Sequence, residues 1–402
     1  MKILQLCLKP PLPSIDGGCL AMDALTQGFL NNDHEVTILS VVTDKHPFKE
    51  DLISKDYLKR TRFQPIYVDT RLNIVDAFTN LVTQDSYNIS RFFSPDFDIK
   101  LKEILQKEKF DIIQFESLFM TPYLGTARRW NKAKMVLRSH NLEYLIWKRL
   151  ADGSKNIAKK FYLNHLAKKL RDYELSIIPR MDGIVTISED DYTKYVQLLK
   201  NDKKLINIPF GINLEEYTPQ ESHGEKSLFH LGSLSWSPNL EGITWFLEDV
   251  WKKIQPEFPL LKFYIAGRDI PHDFKKAEYD NVIIVGEVED AKKFISSKSI
   301  MLVPILSAGG MRVKIIEGMA LGKTVLSTTL GAEGIDFEKD KDILIADTAE
   351  EFKTHLHKIL NSPEFLKTQH DNSRKFVENN YDNNVLVNKL LDFYNSIYSS
   401  SS

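Results

Sequence analysis

The sequence predicts an α/β protein of two doubly wound, Rossmann-like domains facing across a cleft. Three observations predict it. Short apolar runs alternate with segments of helical periodicity along most of the chain, the pattern of parallel strands and crossover helices. A polar stretch from Phe210 to Lys226, with Pro219, Gly224 and several charges, interrupts the alternation, which then resumes. Finally, 402 residues exceed what one ordinary core holds. The expected division is 1–208 for an N-terminal domain, 209–226 for a connector, 227–380 for a second domain and 381–402 for a terminal helix.

Composition narrows the function classes. Hydrophobic content of 43% and charged content of 27% are those of a globular protein. A net charge of -2 excludes a globally basic nucleic-acid binder, so no nucleic-acid partner is expected. Cys7 and Cys19 cannot form a disulfide framework, which fits a cytoplasmic location. The opening residues resemble a signal peptide only briefly, because Lys9-Pro10-Pro11 and Pro13 interrupt the apolar run. No stretch reaches the ~18 uninterrupted apolar residues of a membrane span.

The elements follow in order. Lys2 to Leu8 reads as a buried parallel strand, followed by a Pro-rich loop with Asp16-Gly17-Gly18, a helix from Cys19 to Leu30 and a strand from Glu35 to Val42. Gly17 and Gly18 lack a full GxGxxG fingerprint and would serve a plain turn equally well. After a strand at Pro65 to Val68, Asp96 and Asp98 form a DxD, a spacing that can hold a metal diphosphate; Asp98 would more simply cap the helix running to Lys107. Strands return at Asp111 to Phe115 and Lys134 to Arg138. His140 follows at once, where a side chain meets the ligand crevice of such a sheet and can donate to a phosphate or sugar hydroxyl, or satisfy a helix start.

Asn156 to Ile178 is a long helical pattern carrying Lys159, Lys160, Lys168, Lys169 and Arg171, with Phe161, Leu163, Leu166 and Leu170 as its apolar side. Such a helix can lie on an anionic membrane surface, or its charges can simply be solvated. Strands at Gly183 to Ile187 and Leu205 to Ile208 close the first half, with Ser188 capping the helix between them. The second half places strands at Ser227 to Leu231, Leu261 to Ala266, Val282 to Val285, Ser299 to Val303 and Thr324 to Thr328. Its helices are Asn239 to Lys253, Asp290 to Ser296 and Met311 to Leu321, and two further helical patterns, Pro363 to Asn379 and Asn383 to Ile397, end the chain.

The densest stretch is VPILSAGGMRVKIIEGMALGKTVLST, Val303 to Thr328. A strand runs into a Gly-bearing turn and then a helix start, where unpaired N–H groups and the helix dipole attract phosphate. Gly309 and Gly310 would let phosphate oxygens approach the backbone. Arg312 and Lys314 add cations, and the Glu317 carboxylate can accept paired hydrogen bonds from ribose hydroxyls. The plainer alternative is a helix opened by Gly-Gly and coated by charge. In the expected cleft, the glycine loop and His140 would face Gly232-Ser233, Arg268 and this stretch.

These residues resemble the retaining nucleotide-sugar glycosyltransferases of family 4, with the GT-B fold. The resemblance covers nearly the whole chain and rests on the Gly17-Gly18 loop, SHNLEY at Ser139 to Tyr144, ISED at Ile187 to Asp190, IPFGINLEEY at Ile208 to Tyr217, HLGSLSWSPNLEG at His230 to Gly242, and the GGMRVKIIEGMALGKTVLST block. It implies that Glu317 holds the donor ribose, Gly309 and Gly310 the diphosphate, and the backbone of Gly286 to Val288 the base. His140 would contact the donor sugar, and the final helices would cross back onto the first domain. Gly17, Gly18, Ser233 and Arg268 complete the expected donor-binding set.

Two departures stand out. Many members carry a glutamate at the first position of an EX7E motif, where this chain has Gly309; many carry Arg and Lys where it has Ser233 and Asn239. Arg312 and Lys314 are expected to supply the missing cations. The expected activity is sugar transfer from a nucleotide-diphosphate sugar, the co-substrate, to a glycan or lipid-linked acceptor in surface polysaccharide synthesis, with no metal and no other cofactor. A nucleotide-sugar epimerase or a two-domain binding protein are the alternatives. Donor consumption with and without acceptor separates the three.

Overall fold

The computed structural model describes residues 1–69, 93–154, 156–199, 204–219, 226–272, 274, 279–307 and 311–399. The chain divides into two compact units, Met1–Gly211 with Asn383–Ser402, and Ile212–Asp382.

Among the described residues, the first unit holds a seven-stranded sheet of β1 (Lys2–Cys7), β2 (Glu35–Val42), β3 (Gln64–Tyr67), β4 (Ile112–Glu116), β5 (Lys134–Ser139), β6 (Gly183–Thr186) and β7 (Leu205–Asn207). Their spatial order is β3-β2-β1-β4-β5-β6-β7, and every pair is parallel. The chain starts at the centre, winds out to one edge, then returns to build the other side. Winding direction therefore reverses between β1 and β4, where such sheets open a ligand crevice. Strands β4 and β6 are buried along their whole length, which is why they read as unbroken apolar runs rather than alternating ones.

The last helix, Asn383–Ser399, belongs to this unit. Leu386, Val387, Leu390 and Tyr394 pack with Ile3, Phe29 and Ile38. Asn383 Nδ2 donates to the carbonyl of Ala24 at 2.6 Å. Gly28 permits the approach, since a Cβ there would stand 2.4 Å from Val387 Cγ2.

In the second unit, β8 (Ser227–Leu231), β9 (Lys262–Ala266), β10 (Val282–Gly286), β11 (Ile300–Val303), β12 (Thr324–Ser327) and β13 (Leu344–Ile345) are ordered β10-β9-β8-β11-β12-β13, again all parallel. The reversal lies between β8 and β11. Both units are thus Rossmann-like.

Several local expectations need correction. The helix ending at Lys107 is capped by Ser94, whose Oγ accepts from Phe97 N, while Asp96 and Asp98 sit inside its first turn. A carboxylate there favours the helix dipole without capping. The helix expected from Asn239 to Lys253 runs from Ser237 to Trp245, widens into a π-helical stretch from Phe246 to Trp251, then ends at Ile254. Unanticipated helices occupy Glu143–Asp152 and Ala349–Asn361. The second begins with a readable signal, Thr348 and Glu351 forming a reciprocal capping box. Cys7 and Cys19 are buried free thiols. Among the described residues, no helix is long and apolar enough to cross a membrane.

Candidate functional site

Next to the reversal point of the first sheet, the carboxyl ends of β4 and β5 bring three ionisable side chains together. Glu116, the last residue of β4, is fully buried, and Arg138 on β5 nearly so. Arg138 Nη1 lies 3.2 Å from Glu116 Oε2, and His140 Nε2 lies 3.0 Å from the same oxygen. Gln114 Nε2 donates to Glu116 Oε1, and Gln114 Oε1 accepts from the Tyr394 hydroxyl of the last helix. Phe210 closes the cluster, its ring edge-on to His140 at 5.8 Å and 5.1 Å from the Arg138 guanidinium.

Burial alone would raise the Glu116 carboxyl. The Arg138 charge and the His140 hydrogen bond outweigh it and hold the group below its ordinary value. Burial likewise lowers His140, with Glu116 pulling the other way. The resting state at neutral pH is therefore a carboxylate beside a neutral imidazole. Ser117 follows at φ 101° and ψ 153°, a region that is nearly glycine-only and costs about 1–3 kcal/mol for an L-residue. Its N–H is held by the carbonyls of Arg138 and Phe115 at 3.0 and 3.1 Å.

Gly17 and Gly18 are the first two residues of the helix Gly17–Asn31, whose N-cap is Asp16. Asp16 accepts from Cys19 N at 3.0 Å, from Lys9 Nζ at 2.7 and 2.6 Å, and lies 3.2 Å from His46 Nε2. A Cβ on Gly18 would come within 2.9 Å of Lys9 Nζ. In this structure Gly18 accommodates an ion pair, and the helix start is served by the protein's own carboxylate.

The second sheet builds a different cluster. Gly309 and Gly310 lie outside the described residues. Beyond them the helix Val313–Ala320 starts at Arg312, with no side-chain cap among the described residues. Its first N–H groups can therefore meet an anion. The Arg312 guanidinium lies over the Trp236 ring at 5.5 Å, a cation–π contact that orients it. Glu317, 7% exposed, accepts from the Tyr217 hydroxyl at 2.9 Å through Oε1, and Lys314 Nζ lies 2.8 Å from Oε2. Each carboxylate oxygen thus keeps a lone pair for a further donor. Lys314, read from sequence as a phosphate cation, is here the partner of Glu317.

At the reversal point, the Ser233 hydroxyl bonds Asp269 Oδ2 at 3.1 Å and Ser235 Oγ at 2.8 Å, while Asn239 Nδ2 donates to the Ser233 carbonyl at 2.9 Å. Arg268 is exposed, its carbonyl accepting from Leu234 N at 3.0 Å. Gly286 has φ 87°, and its carbonyl accepts from Gly267 N at 2.8 Å. Val288 packs at the edge of the core around Phe229 and Ile295. No group of three or more His, Cys, Asp or Glu side chains that could hold a metal occurs among the described residues.

Residues 21–216 match the family model described as Glycosyltransferase Family 4, and residues 225–362 the one described as Glycosyl transferases group 1. The chain belongs to glycosyltransferase family 4. This glycosyltransferase is 26% identical over 402 residues, 97% of its own chain and 98% of the relative's, to an uncharacterized 44.6 kDa protein in the cps region of Klebsiella pneumoniae. It is 21% identical over 401 residues, 95% of each chain, to an uncharacterized glycosyltransferase of Methanocaldococcus jannaschii. Among solved structures, it resembles a sucrose-phosphate synthase from Thermosynechococcus elongatus with TM-score 0.70 at 15% identity, over 100% of both chains. An Anabaena protein in complex with UDP gives TM-score 0.64 at 12% identity, over 98% of this chain and 100% of that one. At such identities the likeness speaks for the fold, the two-domain GT-B architecture.

Sequence reasoning singled out His140, Arg312 and Glu317 in the glycosyltransferase, but not Glu116, Arg138, Tyr217 or Trp236. The signal for Glu116 was there: a lone carboxylate ending the buried run IIQFE is costly unless a partner compensates it.

Proposed function

We propose that the enzyme moves a sugar from a nucleotide-diphosphate sugar to a glycan or lipid-linked acceptor, with retention of configuration and without a metal, in surface polysaccharide or glycoconjugate synthesis. The observation that carries this reading is Glu317, pinned by Tyr217 and Lys314 one turn inside an uncapped helix start that also bears Arg312. A fixed carboxylate suits the paired hydroxyls of a ribose, and amide N–H groups with a guanidinium suit the diphosphate attached to it. The Anabaena neighbour's complexes with UDP and with UDP-glucose support the donor class, and the cps-region relative supports the polysaccharide setting.

In this reading Gly309 and Gly310 admit the diphosphate, the backbone of Gly286 to Val288 takes the base, and Ser233 and Arg268 border the site. Gly17 and Gly18 belong to the same donor-binding set, and His140 steadies the transferred sugar. Cleaving the sugar–phosphate bond leaves the electron pair on the diphosphate while the sugar becomes oxocarbenium-like, so fixed positive groups at the phosphates lower the barrier. Arg312 supplies that charge. Burial lowers it only from an already high value, and the Glu333 charge opposes the shift, so it stays cationic. With Gly309 where a carboxylate is expected, the acceptor hydroxyl attacks on the face the diphosphate leaves, and its proton passes to the departing phosphate oxygen.

The test is a thermal-stabilisation screen across nucleotide sugars, followed by transfer assays with and without acceptor in the presence of chelator. Arg312→Ala is expected to lower kcat about a hundredfold, a loss of ~3 kcal/mol in transition-state stabilisation, with the fold intact. Wild-type turnover in that variant would remove the proposed role. A second element, the first turn of the helix Ile157–Ile177, is proposed to rest on an anionic membrane surface at the inner face of the cell membrane. Its exposed Ile157 and Phe161 lie beside exposed Lys159 and Lys160.

A further inference from the structure

We propose that Glu116 is a positioning residue for transfer: lying beneath His140, it fixes the imidazole as its Nε2–H tautomer, so that His140 meets the sugar with a bare Nδ1 and accepts from a hydroxyl. The inference rests on the reading of His140 as the residue that steadies the transferred sugar, and it reverses the direction of the hydrogen bond expected from sequence.

The argument is one of donors and acceptors. An ionised carboxylate only accepts, so the hydrogen between Glu116 Oε2 and His140 Nε2, 3.0 Å apart, belongs to the imidazole. A neutral ring with hydrogen on Nε2 has none on Nδ1. Three features keep Glu116 ionised and still. Arg138 Nη1 reaches it at 3.2 Å, and Arg138 Nε and Nη2 have no other hydrogen-bond partner among the described residues, so the guanidinium's positive charge is spent chiefly on this carboxylate. Gln114, tied to Tyr394 of the last helix, donates to the second oxygen. The glycine-like backbone of Ser117 sets where β4 ends, and a strained residue maintained beside a crevice points to a placement the fold retains.

A hydroxyl-accepting histidine also has a substrate consequence. A sugar lacking the hydroxyl that faces Nδ1 leaves that acceptor without its partner, so such analogues should transfer poorly.

The experiment uses the full-length protein with 15N-labelled histidine. Two-bond N–H correlation spectra report each ring's tautomer, and the His140 signals are assigned by their loss in His140→Gln. The wild-type ring should be Nε2–H. Glu116→Gln should yield mixed tautomers and lower kcat by on the order of tenfold or more, with donor KM little changed. Because that variant leaves Arg138 buried without a counter-charge, the double variant Glu116→Gln with Arg138→Met, which removes both charges, provides a second folded form. An Nδ1–H ring in the wild type, or an Nε2–H ring that persists in both variants, overturns the role given to Glu116 and leaves His140 to be judged by His140→Ala. A lost tautomer with unchanged kcat instead removes His140 from the sugar site, and the positioning role with it.

Discussion

Glu174 lies under the start of the helix Glu143–Asp152, 3.4 Å from the backbone N–H groups of Glu143 and Tyr144, with the Tyr195 hydroxyl donating to it at 3.4 Å. Burial pushes its carboxyl up to about 8, the neighbouring Glu143 adding to the effect, and Glu143 itself rises to about 7. The folded protein thus binds these protons more tightly than the unfolded chain does. The stability they contribute is complete below the ordinary value of 4.5 and is lost as pH rises toward about 8. Urea unfolding between those limits should show stability falling with pH in the wild type and a flatter profile in Glu174→Gln; equal slopes would refute the assignment. At this scale, legibility followed distance along the chain. Arg312 and Glu317 share one motif with a helix start, so spacing exposed them. Tyr217 stands 100 residues from its carboxylate, and no local pattern encodes that bond.

The helix Ile157–Ile177 shows how periodicity can be right about an element and incomplete about its faces. Leu163, Leu166 and Leu170, which looked like a membrane-facing side, are buried against the protein, Leu170 within the first unit's core. Ile157 and Phe161, 86% and 78% exposed, remain outside. Vesicle affinity in co-sedimentation with phosphatidylglycerol vesicles should therefore fall about a hundredfold or more in the double variant Ile157→Ser, Phe161→Ser, at ~1.5–3 kcal/mol per fully buried apolar side chain, and weaken in salt. Equal binding by variant and wild type would exclude this turn as the contact. Strands buried on both faces were the easiest elements to read. The two-residue β13 offers too short a run to register, and the helix after it announces itself only through its capping box.

The whole-molecule plan, two parallel sheets each reversing its winding once, was visible in the repeated alternation of runs and periods. The return of the last helix was not visible in the residues themselves, because its contacts span the chain: Asn383 bonds Ala24 across 359 positions, and Val387 fits over Gly28. Gly28→Val should cost about 1–3 kcal/mol through overcrowding, seen as a lower urea midpoint with unchanged slope. An unaltered midpoint would mean that the helix pair has slack there.

That closure has a bearing on biosynthesis. The first unit is assembled from two segments that flank the second, whereas Ile212–Asp382 is one unbroken piece. During translation the interior segment is complete while the final helix is still being made, so Ile3, Phe29 and Ile38 await a cover that arrives last. The segment synthesised first is completed last, and its apolar surface stays uncovered over that interval.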